Sequence, residues 1–283
     1  MDKKEIFDET FDPDRSESYI LSVQVSYQGI AFSVNDTARG MHIAYVSNPF
    51  SNEMSVSDDW SENISLIFSR YEVLKRKYKR VLFSFESNLF TTVPTDLFLA
   101  EKVKDLFELV HPLPNLFEIR FNHLKNSKVT VVFAIPYSIT SKWLTYQPNT
   151  EFIGFSSALI AYSCLLKSAK DVSAVNTLFT NNFFTTSISA NDELKHCNSF
   201  NFVNINDAAY YMINFCKQTG LDLNRIILSF TGELDDAKGI ELILSQYIAK
   251  VNNGFNIEGS SYSYAIAAYK KSNWNLFNLL LCE

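Results

Sequence analysis

The feature that most constrains this fold is an echo. The chain reads RVLFSFES at residues 80–87 and RIILSFTGELDD at residues 225–236. Each phrase opens as a short, nearly continuous apolar run, the pattern of a strand buried on both faces beside parallel neighbours. Short apolar strands resemble one another by chance, so the flanking order has to decide. Ahead of the first phrase, Leu21, Val23, Val25 and Tyr27 alternate with Ser22, Gln24 and Ser26, the period of a half-buried strand. Gln28-Gly29 offers a tight turn, with the glycine supplying a positive φ. IAFSV then alternates through Ile30, Phe32 and Val34, and NDTARG turns the chain into MHIAYV. A helix is expected over residues 57–78, where Trp60, Ile64, Ile67, Phe68, Tyr71 and Leu74 recur at helical spacing. After the phrase, a second helix starts at an N-cap, Thr95, and runs to Val110.

The second half repeats this order. VSAVNTLF, a turn at Asn181-Asn182, FFTTSIS, a turn at Asn191-Asp192 and LKHCNSFNFV make a second meander. A helix over residues 206–219, the echoing strand and a helix over 236–251 follow. The two phrases lie 145 residues apart and the first hairpin turns 153 apart, so each phrase holds the same place in its half. This predicts an α/β protein built from two β-β-β-α-β-α halves by internal duplication. Residues 1–18 are expected to be a flexible acidic lead-in, 19–155 the first half and 156–283 the second. LFEIRF, VTVVFAI and YSITSKWLTY have no counterpart downstream, so residues 115–150 are expected to form a small inserted subdomain. EFIGF and a helix over 156–167 return the chain to the core.

Charge and cysteine usage narrow the function. A net charge of −6 speaks against a general nucleic-acid or anionic-membrane binder, which needs a positive field. KRKYKR at residues 75–80 carries five cations in six positions. It reads either as a phosphate-binding patch or, more simply, as the last turn of the helix before it, where cations meet the negative end of the dipole. The four cysteines have no regular spacing, and the opening MDKKEIFDETFDPDR lacks an apolar core, so a cytoplasmic chain with reduced thiols is expected. His196 and Cys197 are adjacent, but on a strand they point to opposite faces, which argues against a metal pair.

Two facing β-β-β-α-β-α halves resemble the actin-like ATPase (ribonuclease H-like) fold shared by sugar kinases, heat-shock chaperones and bacterial actin relatives. In element order and texture the chain resembles a small uncharacterised bacterial family with that fold, whose relatives include pilus-assembly ATPase-like proteins. The resemblance implies that three loops converge on a nucleotide: the first hairpin turn of each half, usually with an Asp-x-Gly stretch that helps hold Mg²⁺, and a small-residue loop after the second half's buried strand. Carried over, these are Gln28 and Gly29, Thr180 and Asn181, and Thr231 and Gly232. The first turn has Tyr27 where the acid would stand, and the second has neither carboxylate nor glycine. Phosphoryl transfer works by positioning and charge neutralisation, so hydrolysis is not expected; no cofactor is expected, with ATP the alternative. Thr231-Gly232 also reads as a plain strand-to-helix turn, with Asp235 or Asp236 capping the helix.

FIGFSSAL at residues 152–159 places a Gly-x-Ser-x-Ala between a strand and a helix, the setting of a hydrolase nucleophile. The one downstream histidine, His196, follows a meander rather than βα units, so Ser156 or Ser157 is better read as an N-cap. The expected function is therefore a catalytically silent actin-like scaffold or interaction module that binds another protein, with self-association the alternative partner and no membrane insertion expected. The alternatives are an ATP-binding switch or weak ATPase and, third, a serine hydrolase using Ser156.

Overall fold

A computed structural model describes residues 2–166, 172–255 and 261–282. Its first element is a strand, β1 (Lys4–Phe7), where a loose lead-in was expected. A 3-10 turn over Pro13–Ser18 follows, capped by Asp12, whose carboxylate accepts from the Asp14 amide at 2.9 Å. Then β2 (Tyr19–Ser26), β3 (Gly29–Asp36) and β4 (Met41–Pro49) form the expected meander, with β1 antiparallel on the outer edge of β4. The β2–β3 turn is Tyr27-Gln28, one residue earlier than its sequence reading. Gly29 is already the first residue of β3, opposite Ser26, and is not among the glycines with positive φ.

The first helix is shorter than its apolar spacing implied. α1 (Ser61–Arg70) ends at Tyr71, and a 3-10 turn over Glu72–Lys75 leads into β5 (Arg80–Phe85), parallel to β2. Of the KRKYKR cations, Lys75 ends the 3-10 turn, Arg80 opens β5 and the others lie in the connection between them, so none sits at the end of α1. Lys75 pairs with Glu72, Arg76 with Asp14 at 2.8 Å, and Arg80 holds Glu151 through Nε and Nη2 at 2.8 and 2.9 Å. Acids already neutralise much of that patch.

β6 (Phe90–Pro94) comes next, and the expected helix from Thr95 is broken into 3-10 turns at Thr95–Leu97 and Ala100–Lys102 before α2 (Val103–Glu108). Thr95 does not cap; its hydroxyl lies 3.3 Å from that of Thr130. β7 (Phe117–Leu124) and β8 (Val129–Pro136) pair with β6 in a three-stranded sheet, order β6-β8-β7, so the small sheet begins at Phe90 rather than near 115. α3 (Tyr137–Leu144) and β9 (Thr150–Gly154) return the chain to the edge of the first sheet. α4 (Ser157–Leu165) is buried along nearly its whole length; its expected end at residue 167 lies outside the described residues.

The second sheet forms from β10 (Ser173–Phe179), β11 (Phe183–Ala190) and β12 (Glu193–Asn201). Asn191 and Asp192 both take left-handed backbone (φ 55° and 61°), as a two-residue hairpin turn requires and as short polar side chains tolerate. Asn204 caps α5 (Ile205–Gln218), accepting from the amides of Asn206 and Asp207. β13 (Ile226–Gly232) is parallel to β10. α6 (Ala237–Leu244) stops short of the expected 251, because residues 250–253 extend beside β13 as β14 (Lys250–Asn253). The chain then crosses back: β15 (Ser261–Tyr262) lies parallel to β4, and α7 (Trp274–Asn278) packs under β2 and β3. Among the described residues no helix is long and apolar enough to cross a membrane.

The sheet orders are β1-β4-β3-β2-β5-β9 and β12-β11-β10-β13-β14, so both contain three antiparallel strands followed by two parallel ones. On the first sheet, Trp60, just ahead of α1, meets Phe85 edge-on, while Trp143 of α3 packs between Phe68 of α1 and Phe83 of β5. The opposite face carries Ser22, Gln24 and Ser33, whose alternation suggested a solvated surface. It is buried instead, because the C-terminal segment covers it. There Ser33 Oγ lies 2.9 Å from both the Ala44 carbonyl and His42 Nδ1, tying the imidazole to the sheet. His42 stacks on Tyr262 and meets Phe277 edge-on, and burial pushes its pKa down to about 4.

The pH sign follows from that shift. The unfolded chain takes up a proton at this site near pH 6.5 and the folded chain only near 4, so stability is lost as pH falls through that window. Comparing urea unfolding of the wild type with His42→Gln should show the wild type losing an extra ~2–3 kcal/mol between pH 6.5 and 4. Parallel pH curves would contradict a buried neutral His42. Leu159→Ala in α4 should cost about 2–5 kcal/mol and lower one shared unfolding transition of both sheets; two separate transitions would count against α4 as a common core.

Candidate functional site

The carboxyl ends of β2, β5, β10 and β13 open onto a cleft between the two sheets, the place where α/β sheets bind ligands. The hairpin turns expected to hold phosphate face each other there and touch. Asn181 Nδ2 donates to Gln28 Oε1 at 2.9 Å, bridging the two halves side chain to side chain. Tyr27, which stands where a metal-binding acid was sought, turns away from the cleft. Its ring packs edge-on against Trp60 and Phe85, and burial raises its phenol pKa to about 12. Phe183 likewise packs inward, against Phe155 at 5.7 Å.

The remaining candidates are occupied locally. Thr180 is buried; its hydroxyl donates to the Phe183 carbonyl at 2.9 Å and accepts from the Phe183 amide at 3.2 Å. Thr231 is buried, with its hydroxyl 3.4 Å from the Lys271 carbonyl. Gly29 is held in strand pairing. Gly232 has a plain steric cause: at φ 114° a Cβ would lie 2.1 Å from the Phe179 carbonyl oxygen, and the next amide, Glu233 N–H, donates to that same oxygen at 3.0 Å. Asp236 caps α6 through the Gly239 amide at 2.8 Å, with Asp235 left at the cleft. The cleft thus gathers Gln28, Asn181 and Gly232 but not the hydroxyls of Thr180 and Thr231.

Sequence reasoning passed over the groups that set the cleft's charge. Glu86 follows the last residue of β5, and Glu233 follows the last residue of β13. Gln24 Nε2 donates to Glu86 Oε2 at 3.1 Å, and Asn275 Nδ2 on α7 donates to Gln24 Oε1 at 3.1 Å. Burial, then the nearby charge of Glu233, pushes the Glu86 carboxyl up to about 8. Burial also raises Glu233, while the amide of Asn181 beside it works the other way. The signal was present in the sequence, since both echoing strands run into an acid, but an isolated glutamate at a strand end has no motif to mark it.

A cavity of about 400 Å³ lies in this cleft. Asp2, Glu233 and Asp235 line it, together with Asn181, Gly232, Tyr45 and Tyr269. Among the described residues its one cationic neighbour is Lys4. A polyphosphate needs donors and cations converging on its oxygens; these walls present carboxylates. No group of three or more His, Cys, Asp or Glu among the described residues could hold a metal. His196 and Cys197 diverge as expected: His196 lies beside Phe215, while burial raises the Cys197 thiol. Ser156 precedes α4 without a side-chain cap bond, its hydroxyl buried and unpartnered, and Ser157 Oγ donates to Asn122 Oδ1 at 2.9 Å. Neither serine has a histidine partner.

Comparison with known proteins places this geometry. The chain belongs to the family described as "Protein of unknown function (DUF3822)", whose model matches residues 8–251. A Bacteroides thetaiotaomicron protein with actin-like ATPase fold and unknown function superposes with a TM-score of 0.81 at 24% identity, over 97% of this chain and 100% of that one. A chain of the PilM–PilN type IV pilus biogenesis complex superposes at 0.63 with 10% identity, over 94% and 98%. No curated protein matches the chain. The fold is the actin-like ATPase fold.

Because Glu86 is held protonated, its contribution is complete below pH 4.5 and is lost as pH rises through about 8. Glu86→Gln keeps a neutral side chain there. Its stability relative to wild type should rise by on the order of 3 kcal/mol between pH 4.5 and 8.5, read from urea midpoints. A pH-independent difference would mean that Glu86 is ordinarily ionised.

Proposed function

We propose that this member of the DUF3822 family is a catalytically silent actin-like protein that acts by binding another protein. In this reading the two sheets descend from an internal duplication, with halves at 19–155 and 156–283, and the nucleotide site has degenerated. The observation that carries it is the Asn181–Gln28 bridge: the two turns that would cradle phosphates hydrogen-bond to each other. The acids behind them strengthen it: Asp2, Glu233 and Asp235 line the cavity, and burial with the charge of Glu233 already holds Glu86 protonated, so a nucleotide would add negative charge where it is disfavoured. A fold neighbour taken from the PilM–PilN complex is itself part of a protein assembly, which agrees with a binding role. A cytoplasmic setting agrees with four free cysteines, three of them buried.

An ATP-binding switch is the second reading, favoured by the cavity that Gly232 and Asn181 border. Ser156, buried and without a base, gives a hydrolase no comparable footing. Calorimetry with Mg²⁺–ATP separates the first two. The bridged, acid-lined cleft should give no micromolar binding and no turnover; micromolar binding with hydrolysis would overturn the proposal. Asn181→Ala, which opens the bridge without touching the core, is the informative variant. Gly232 is not, because any side chain there collides with Phe179 backbone.

A further inference from the structure

With the two phosphate turns bridged to each other, a protein-binding role points to another surface. One groove, of about 560 Å³, lies away from the cleft, where the approach to α1, the start of β7 and the start of α3 meet. Its apolar groups stand in solvent: Leu116 is 68% exposed and Tyr137 60%. Leu116 is also strained. Its φ of 65° is a left-handed conformation that a branched side chain adopts only when the surroundings impose it. In that conformation the Leu116 carbonyl accepts from the Tyr137 amide at 2.8 Å. A glycine would fit that backbone without strain, yet the chain spends a leucine there and leaves it exposed.

The rim is acidic. Asp58, Asp59 and Glu118 line the groove, and among the described residues no lysine or arginine does. Hydrogen bonds from Ser61 hold Asp59 below the usual carboxylate range, so it is ionised. Asp58 is fixed by the Ser55 amide at 2.7 Å, and Glu118 is oriented by Arg120 at 2.6 Å. Exposed apolar side chains and fixed carboxylates lining one groove define a complement that combines apolar and basic residues.

We infer that this groove docks a short segment of another protein that has apolar anchor residues flanked by lysine or arginine. The inference rests on the protein-binding reading and gives it a site and a partner chemistry. Leu116 and Tyr137 supply contact area, and Asp58 and Asp59 select against acidic segments, the charge of Glu118 being met by Arg120. A membrane surface or nucleic acid would be repelled by the same rim.

The test is fluorescence anisotropy at about 0.15 M salt, where loose charge attraction is screened beyond ~8 Å. The probe is a labelled peptide with two leucines and a tyrosine between paired lysines. Two controls replace the lysines by glutamates or the leucines by serines. The full-length protein should bind the probe and neither control. Asp58→Asn with Asp59→Asn, and separately Tyr137→Ala, should each weaken binding at least tenfold. Leu116→Gly should weaken it as much while leaving the melting temperature unchanged or raised, since it removes the anchor and relieves the backbone. Equal binding of the glutamate control, or binding indifferent to all three variants, overturns the inference. So does a dimer in sedimentation that Tyr137→Ala dissociates, because the occupant would then be a second copy. None of these readouts involves nucleotide, so failure here is distinct from finding ATP in the cleft.

Discussion

The structure depends on the burial of one helix. α4 has no solvated face: Ala158, Leu159, Ile160, Ala161, Tyr162, Ser163 and Cys164 are all buried. It touches all three sheets. At its first turn, Ser157 Oγ donates to Asn122 of β7; at its far end, Ser163 shares hydrogen bonds with Ser187 of β11 and Asn176 of β10. Between those polar clamps Leu159 and Ile160 sit in the core that also contains Val23, Phe83 and Trp274. Each such aliphatic side chain contributes about 1.5–3 kcal/mol when fully buried. The two clamps fix which face of the helix meets which sheet, since a rotated helix would leave buried hydroxyls and amides unpaired.

Once α4 fixes the sheets, the cleft follows. The ends of β2, β5, β10 and β13 can only converge, and what fills the convergence is a polar seam: Asn275 to Gln24, Gln24 to Glu86, Asn181 to Gln28. The seam joins the C-terminal segment to the first sheet and the second sheet's turn to the first's. Each link is a neutral amide bond or an amide-to-carboxyl bond, and none is an ion pair across the cleft. An uncompensated carboxylate in such a place is costly, which is why Glu86 keeps its proton.

Much of this was legible from residues alone. The echo of residues 80–85 and 225–230 located the two central parallel strands, and the turns at Asn181-Asn182 and Asn191-Asp192 set the second meander. The errors have a common origin. Helical spacing of apolar residues around 71–78, 95–102 and 245–251 persists where the backbone leaves the α-helix, because 3-10 turns and short strands bury the same side chains with other partners. β1, β14 and β15 are two to four residues long, too short for any period to register. The serine-rich face of β2 and β3 looked solvated because its cover, α7, comes some 250 residues later in the chain.

The cleft shows why a glycine is a poor witness to a ligand. Gly232 would match a nucleotide loop in sequence, but its backbone packs on Phe179 so closely that no other residue fits, whatever the cleft binds. Leu116 is the opposite case. There the backbone asks for glycine and holds a bulky apolar side chain in water, so packing does not explain the residue. The first position is dictated by the fold and carries no information about function. The second costs the fold something and returns nothing to the core, which places the functional argument on the outer groove.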